Sequence, residues 1–330
     1  MRFFWGHYPF SISRKNLILL FSSLLMLCNF LSAEELPSQL NIGFIPGGDI
    51  SSTKEAGFKL AQQLQKDLGV PINVVISKNY GGLIDLMADR KIDFALFSSF
   101  TFIEAEQRAG AKVLLKTVFE NPFYYSTILT STDSGLKIKS LKDLKGKRIG
   151  FVDKKSSSGY LYPLLALKKI GLKESDFKSV SFSGSHSKSV EMLNAKEVDA
   201  IAVFADDSAA QKNAWIKYSE KSNSDPKAQL VSSPKAQSAS APKVLGVLAP
   251  KVLWVSEPIP NDPFCVRKDF YEAYPKLTHS LMSAVIDAVE NLIAKKELKD
   301  FVGAKTLAPA TSKQYDPVRD VVKSLGIQSN

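Results

Sequence analysis

Phe151-Val-Asp-Lys-Lys-Ser-Ser-Ser-Gly-Tyr-Leu-Tyr-Pro-Leu-Leu-Ala-Leu-Lys-Lys-Ile170 reads as the end of a buried strand running from Arg148 to Val152, a polar turn, and a helix to about Lys169. Three consecutive serines, Ser156, Ser157 and Ser158, stand where that helix begins. The first turn of a helix carries backbone N–H groups without intrahelical partners and a partial positive charge. Hydroxyls add donors that rotate to suit a ligand and bring no charge. Gly159 is expected to let a ligand approach the backbone. The combination suits a small tetrahedral oxyanion. The same run also serves as an ordinary helix cap, since serine is favoured there in its own right.

The units on either side repeat the strand-helix alternation. Leu40 to Ile45 is a short apolar strand ending in Pro46-Gly47-Gly48. Ser52-Thr-Lys-Glu55 has capping-box spacing and opens a helix with Phe58, Ala61, Leu64, Gln65 and Leu68 along or near one face, ended by Gly69. A β-branched strand lies within Pro71 to Ser77, a helix follows Asn79-Tyr80-Gly-Gly, and Asp93 to Phe97 is a strand before a helix capped by Ser98-Ser99. Lys112–Phe119 and Phe123–Thr130 are two more strands. Beyond the serine helix come a strand at Ser179–Ser183, a helix from His186 and a strand at Asp199–Val203. Such spacing predicts βαβ units and an α/β fold with largely parallel sheets. A shift of 106 residues lays Tyr80–Asp93 on His186–Asp199, with a polar aromatic at each helix start and an apolar-Asp strand entry at the same distance. Two similar lobes built this way each offer helix starts at the carboxyl end of a sheet, where such sheets take ligands.

Residues 219–243 are rich in Ser, Ala, Pro, Lys and Gln and are expected to form a mobile loop. Glu257-Pro-Ile-Pro-Asn-Asp-Pro263 is too proline-rich for anything but an extended crossing segment. The tail is helical: Lys268–Tyr274, then Leu277–Lys295 with Leu281, Val285, Ala288 and Leu292 as its inner stripe, then one or two short helices.

Arg2, Arg14 and Lys15 precede and flank an apolar run from Leu17 to Leu31, and Leu31-Ser-Ala33 is a cleavage site, so residues 1–33 read as a signal peptide. Leu27 before Cys28 is not the small residue of a lipoprotein signal, which argues against an anchor at Cys28. Of 43 bases those three leave with the leader and no acid does, so 40 bases face 33 acids. They are dispersed, a solvated surface rather than a nucleic-acid stripe. Cys265 is the one cysteine of the mature chain, so no internal disulfide forms.

Catalysis has thin support. The mature chain has two histidines, His186 and His279, and neither a Gly-x-Ser-x-Gly elbow, a Walker loop nor metal-ligand spacing is present. The chain is better equipped to hold a ligand than to transform one. A histidine-serine hydrolase is the weakest of the readings.

Asn79-Tyr80-Gly-Gly, Ser156-Ser-Ser-Gly159, Ser183-Gly-Ser-His186 and Pro258-Ile-Pro-Asn-Asp-Pro263 stand in one order. They resemble the phosphate/phosphite/phosphonate-binding periplasmic proteins of ABC importers, over roughly Ile42 to Phe270. The resemblance implies a two-lobed, type II Venus-flytrap fold, each lobe a mostly parallel sheet flanked by helices. Residues 34–126 and 255–330 would form lobe 1 and residues 127–254 lobe 2. It implies a monomer without a cofactor that delivers a small phosphorus oxyanion to a permease in the inner membrane. The alternative keeps the fold and makes it an extracytoplasmic sensor or chemoreceptor partner. Residue by residue, Tyr80 and Tyr124 match the binding aromatics, with Tyr125 as the near alternative. Ser156, Ser157 and Ser158 match the Ser-Thr-Ser cradle, serine standing in for threonine in the middle. His186 matches the ligand histidine and Asp262 its acidic partner. Asp206 falls where aminophosphonate binders carry an amine-reading acid, with Asp207 one residue away. Holding a dianion there calls for hydroxyls, dipoles and a protonated His186.

Overall fold

Two mixed sheets carry the chain, each parallel in its βαβ half and antiparallel in the rest. The structure is a computed structural model that describes residues 36–132, 135–222, 243–244 and 247–327. The expected leader 1–33 with Cys28, and 223–242 of the expected loop, lie outside the described residues.

The elements in chain order are β1 (Leu40–Phe44), α1 (Ile50–Leu68), β2 (Ile72–Ile76), α2 (Tyr80–Ala88), β3 (Phe94–Leu96), α3 (Ser99–Ala109), β4 (Lys112–Val118) and β5 (Phe123–Thr130). Then come β6 (Arg148–Phe151), a π-helical turn (Ser157–Leu161) leading into α4 (Tyr162–Lys169), β7 (Ser179–Phe182), α5 (His186–Asn194), β8 (Ala200–Ala205) and α6 (Ala214–Ser222). The chain continues through β9 (Lys243–Val244), β10 (Val247–Leu248), β11 (Lys251–Val255), β12 (Ile259–Pro260) and β13 (Pro263–Val266). It closes with α7 (Lys268–Ala273), α8 (Pro275–Ala294), β14 (Thr306–Pro309) and α9 (Asp316–Leu325).

The first sheet runs β14-β4-β13-β3-β1-β2. Strand β1 is parallel to β2 and β3, while β13, β4 and β14 run antiparallel to their neighbours. The second runs β11-β5-β8-β6-β7, with β12 added at the Phe123–Tyr124 end of β5. Only β6 with β7 and β8 is parallel there. Each sheet is covered on both faces because its strands alternate at period 2. Phe94, Leu96 and Phe264 face the stripes of α1 and α8, whereas Ala95, Phe97 and Cys265 face α2, α3 and α9. In the second sheet Ile128, Ala200 and Ala202 pack toward α4, and Leu129, Ile201 and Val203 toward α5 and α6.

Helix α8 buries the expected stripe, Leu281, Val285, Ala288 and Leu292. Helix α1 departs from expectation. It begins before the capping box, because Asp49 caps it by accepting from the Ser52 N–H. Its buried stripe is Thr53, Ala56, Gly57, Leu60, Ala61 and Leu64, which leaves Phe58 46% exposed. Residues 219–222, expected to be loop, end α6, and Ser219 is buried. Strand β14 was expected to be helix or coil; four residues at a sheet edge ending in proline give almost no periodic signal.

The 106-residue repeat is real at the backbone level. Helices α2 and α5 are both nine residues long. Arg90 and Lys196 take the same left-handed conformation after them, at φ 58 and 57°. Asp93 then accepts from the Asn41 N–H at 2.9 Å, and Asp199 from the Arg148 N–H at 2.8 Å, each tying its own strand to its parallel neighbour.

Candidate functional site

The carboxyl ends of β1, β3, β6 and β8 open onto one cavity of about 430 Å³ between the sheets. Tyr80, Tyr124, Ser156, Ser157, Ser158, His186, Asp206 and Asp262 all line it. Those eight residues, scattered over 183 positions of sequence, meet there. Of the near alternatives, Tyr125 sits within β5 opposite Ala205. Asp207 folds its carboxylate back onto the N–H groups of Ala209, Gln211 and Lys212.

The serines are buried, and the hydroxyls of Ser156 and Ser157 each accept from a backbone donor. Ser156 Oγ accepts from the Gly159 N–H at 3.0 Å, as the cap of the π turn. Ser157 Oγ accepts from the Phe100 N–H at 2.9 Å, at the start of α3 on the other sheet. The Ser158 carbonyl accepts from Ser126 Oγ at 2.6 Å. Ser156 also hydrogen-bonds Tyr80 and Ser157 Tyr124, so each serine-phenol pair keeps one hydroxyl proton to give. The helix opens as a π turn because Tyr162 N–H reaches back to Ser157 O, a wider ring that recurs at functional sites. Gly159 has a different role from the expected one. A Cβ there would stand 2.5 Å from Val152 Cβ, so glycine is required for the turn to pack on its own strand, whose Val152 N–H donates to Gly159 O.

The two lysines that precede the serines in sequence are engaged elsewhere. Lys155 carries its ammonium to Glu104 on α3, and Lys154 lies over the Phe182 ring. The contacts from Phe100 and Glu104 link the two sheets across the cavity. The His186 N–H to Gly47 O bond (3.0 Å) and the Ser187 Oγ to Gly48 O bond (3.0 Å) do the same. Gly47 is glycine for space: a Cβ would meet the Tyr80 hydroxyl at 2.7 Å.

Burial raises the Tyr80 phenol far above its usual range, with Ser156 acting the other way and Asp262 adding to the rise. Burial does the same to Tyr124, reinforced by Asp262 and opposed by Ser157 and Ser99. Both phenols stay protonated. Asp262, between β12 and β13, is pushed up to about 7 by burial, relieved only by the Ser99 backbone N–H. It therefore exchanges a proton near neutrality.

His186 corrects the expectation of a protonated ring. It is 6% exposed, and burial, then the field of Lys217, pushes it down to about 3. Its Nδ1 is buried without a partner, and the ring stands edge-on to Phe204 at 5.0 Å. A neutral imidazole offers one donor and one acceptor, not a charge.

Several cavity residues carried no motif. Phe204, Lys217 and Tyr218 line it from β8 and α6, and Tyr218 stands close enough to Gly48 that a Cβ there would meet its hydroxyl at 2.9 Å. A polar aromatic and a lysine within an amphipathic helix are indistinguishable from surface by pattern. Among the described residues no group of three or more His, Cys, Asp or Glu could hold a metal ion, and no helix is long and apolar enough to cross a membrane.

Residues 42–315 match the family model described as the phosphonate periplasmic substrate-binding protein of ABC transporters. The chain belongs to this family. Among curated relatives it is 32% identical over 191 residues to the phosphonates-binding periplasmic protein of Escherichia coli K12, covering 55% of this chain and 56% of that one. It is 30% identical over 184 residues to the phosphate-import protein PhnD of Mycolicibacterium smegmatis, covering 52% and 57%. The matched stretch thus spans a little over half the length of each. Among solved structures, PhnD1 from Prochlorococcus marinus MIT 9301 in complex with methylphosphonate superposes with a TM-score of 0.69 at 20% identity, over 88% of this chain and 99% of that one. At that identity the likeness speaks for the fold of this phosphonate-binding family member.

Proposed function

We propose that this protein is an extracytoplasmic solute-binding protein that captures a phosphonate, phosphite or related phosphorus oxyanion and delivers it to the permease of an ABC importer in the inner membrane. It works in the periplasm as a monomer and performs no chemistry on its cargo. The observation that carries this reading is the serine wall: Ser156 and Ser157 each accept a backbone N–H and pair with the phenols of Tyr80 and Tyr124, and Asp262 lines the same cavity. A wall of donors matches an oxyanion. The proton of Asp262 matches one whose oxygens titrate near neutrality, and an ionised Asp262 disfavours proton-free sulfate. His186 contributes a neutral hydrogen bond, and Asp206 faces the substituent. One lobe takes the described residues of the first sheet and the other those of the second, to which β5 belongs from Phe123 onward, and the two close over the ligand.

Calorimetry on the purified protein with methylphosphonate, aminoethylphosphonate, phosphite, phosphate and sulfate tests this. Saturable binding of phosphorus compounds and none of sulfate is expected, and absence of binding to every phosphorus compound overturns the reading. Ser157→Ala should weaken binding by about 1–3 kcal/mol, the range for a hydrogen bond to charge.

A further inference from the structure

The cavity is larger than an oxyanion needs. Its volume of about 430 Å³ falls in the range of roughly 300–1,000 Å³ typical of sites that enclose a whole small organic molecule. The serines, Tyr80 and Tyr124 line one part of it. Past His186, the Phe204 ring begins a second compartment, walled by Tyr218, Phe119 and Gly303.

Two opposite charges border this compartment. Lys217 Nζ lies 5.8 Å from the Phe204 ring centre and 5.9 Å from that of Tyr218. It abuts Gly303, where a Cβ would stand 3.0 Å from the ammonium, so the lysine is held between the rings and the backbone at the cavity wall. Asp206 is fixed through its main chain: its N–H donates to Lys212 O at 2.7 Å and its carbonyl accepts from Asn121 Nδ2 at 3.0 Å. Three other acids on the cavity are already engaged. Asp49 accepts from the Ser52 N–H, Glu55 from Lys59, and Asp300 from the Gly303 N–H. The Asp206 carboxylate and the Lys217 ammonium form neither a hydrogen bond nor an ion pair with each other or with any other described residue. They nevertheless sit within each other's field, since Lys217 opposes the burial-driven rise at Asp206.

Resting on the phosphorus-oxyanion reading above, we propose that the second compartment recognises a substituent carrying both signs, an amino-acid-like group on the phosphorus ligand, with Asp206 taking its ammonium and Lys217 its carboxylate. An ammonium alone gains Asp206 but meets Lys217. A carboxylate alone gains Lys217 but meets Asp206. Only a zwitterion leaves neither wall charge opposed, so the pair discriminates by repulsion as well as attraction.

The test is a calorimetric panel of methylphosphonate, aminoethylphosphonate (ammonium only), phosphonopropionate (carboxylate only) and phosphonoalanine (both). Phosphonoalanine should bind at least about tenfold tighter than any of the other three, since it alone meets both wall charges without repulsion. Lys217→Met and Asp206→Asn should each reduce the ratio of phosphonoalanine to methylphosphonate affinity by about tenfold. Lys217→Glu should move the preference to aminoethylphosphonate. Ligand-free melting temperatures establish that each variant folds, and using the ratio cancels any general loss of anion attraction. Methylphosphonate binding as tightly as phosphonoalanine, or a ratio indifferent to Lys217→Met, overturns this inference alone. Failure of all four to bind the wild-type protein overturns this inference, and failure of phosphite and phosphate as well overturns the phosphorus-oxyanion reading with it.

Discussion

Helix α2 starts at Tyr80 under the Asn79 cap, and helix α5 starts at His186 under the Ser185 cap. Each helix is followed by one left-handed residue and by an aspartate that secures a parallel strand. The frames agree to within a few tenths of an ångström in their hydrogen bonds. The rings they present do not. Tyr80 brings a phenol that burial keeps protonated, whereas His186 brings an imidazole that burial keeps neutral, with Nδ1 unpaired in the cavity. The frame is what the fold needs twice, and the ring at its first residue is what the site varies.

The aspartates give the largest difference to exploit. Asp93 and its partner Arg267 are 9% and 12% exposed, and Arg267 comes from the far end of the chain, at the junction of β13 and α7. Asp199 pairs with Arg148 of the neighbouring strand, whose side chain is 34% exposed. Asp93→Ala should therefore cost about 3 kcal/mol or more, at the low end for breaking a buried pair because Asp269 still holds Arg267. Asp199→Ala should cost about 1.5–3 kcal/mol, since water reaches the guanidinium it leaves behind. Urea unfolding of both variants measures this, and equal losses would mean that the two frames bear the same load.

The frames were legible in the sequence because capping residues, apolar spacing and strand-entry acids are local signals. Local signals marked the site at helix starts, at Tyr80, Ser156 to Ser158 and His186, whereas Tyr124, Asp206 and Asp262 were legible only through the family resemblance. Lys217 and Tyr218 lie inside α6, where helical period says which side is buried but not what faces a cavity. Protonation was beyond reach for the same reason. The neutral state of His186 follows from its enclosure and from a lysine 31 positions away, neither of which a local stretch encodes.

The second prediction separates the titrating ring from the silent one. His186 has its pKa lowered from 6.5 to about 3, so its contribution to stability is present above pH 6.5 and is lost as pH falls toward 3. Asp262 has its pKa raised from 3.8 to about 7, so its contribution is present below pH 3.8 and is lost as pH rises through 7. Between about pH 4 and 6.5 the unfolded chain carries the proton on the histidine and the folded chain carries it on the aspartate, and the two slopes cancel. Removing either group uncovers the other. His186→Gln should become less stable as pH rises across that window, and Asp262→Asn less stable as pH falls, each by at most about 1.4 kcal/mol per pH unit relative to wild type. Denaturant unfolding at several pH values reads the slopes. A His186→Gln profile parallel to wild type would show that the imidazole is protonated in the folded protein after all. Tyr80→Phe should change neither slope.

The smallest effect lies in the caps themselves. Asn79 Oδ1 accepts from the Gly82 N–H at 2.7 Å, while Ser185 Oγ accepts from the Lys188 N–H at 3.3 Å and shares its hydroxyl with Ser187. A side-chain cap is worth about 1 kcal/mol, and the shorter bond should deliver the larger share. Asn79→Ala is thus expected to destabilise more than Ser185→Ala. Both caps have a second fastening of the backbone, Ser77 Oγ donating to Asn79 O at 2.8 Å and Ser183 Oγ to Ser185 O at 2.9 Å, and Ser183 also meets Ser189 on α5. If Ser185→Ala nevertheless costs more, the start of α5 is held chiefly by its cap, and the position of His186 in the cavity depends on a single hydroxyl. If the order is as expected, the Asn79 cap carries more of the placement of the phenol than the Ser185 cap carries of the imidazole, whose helix Ser183 also ties at Ser189. Ligand affinity should then tolerate Ser185→Ala better than Asn79→Ala, although His186 is the ring nearer the substituent compartment.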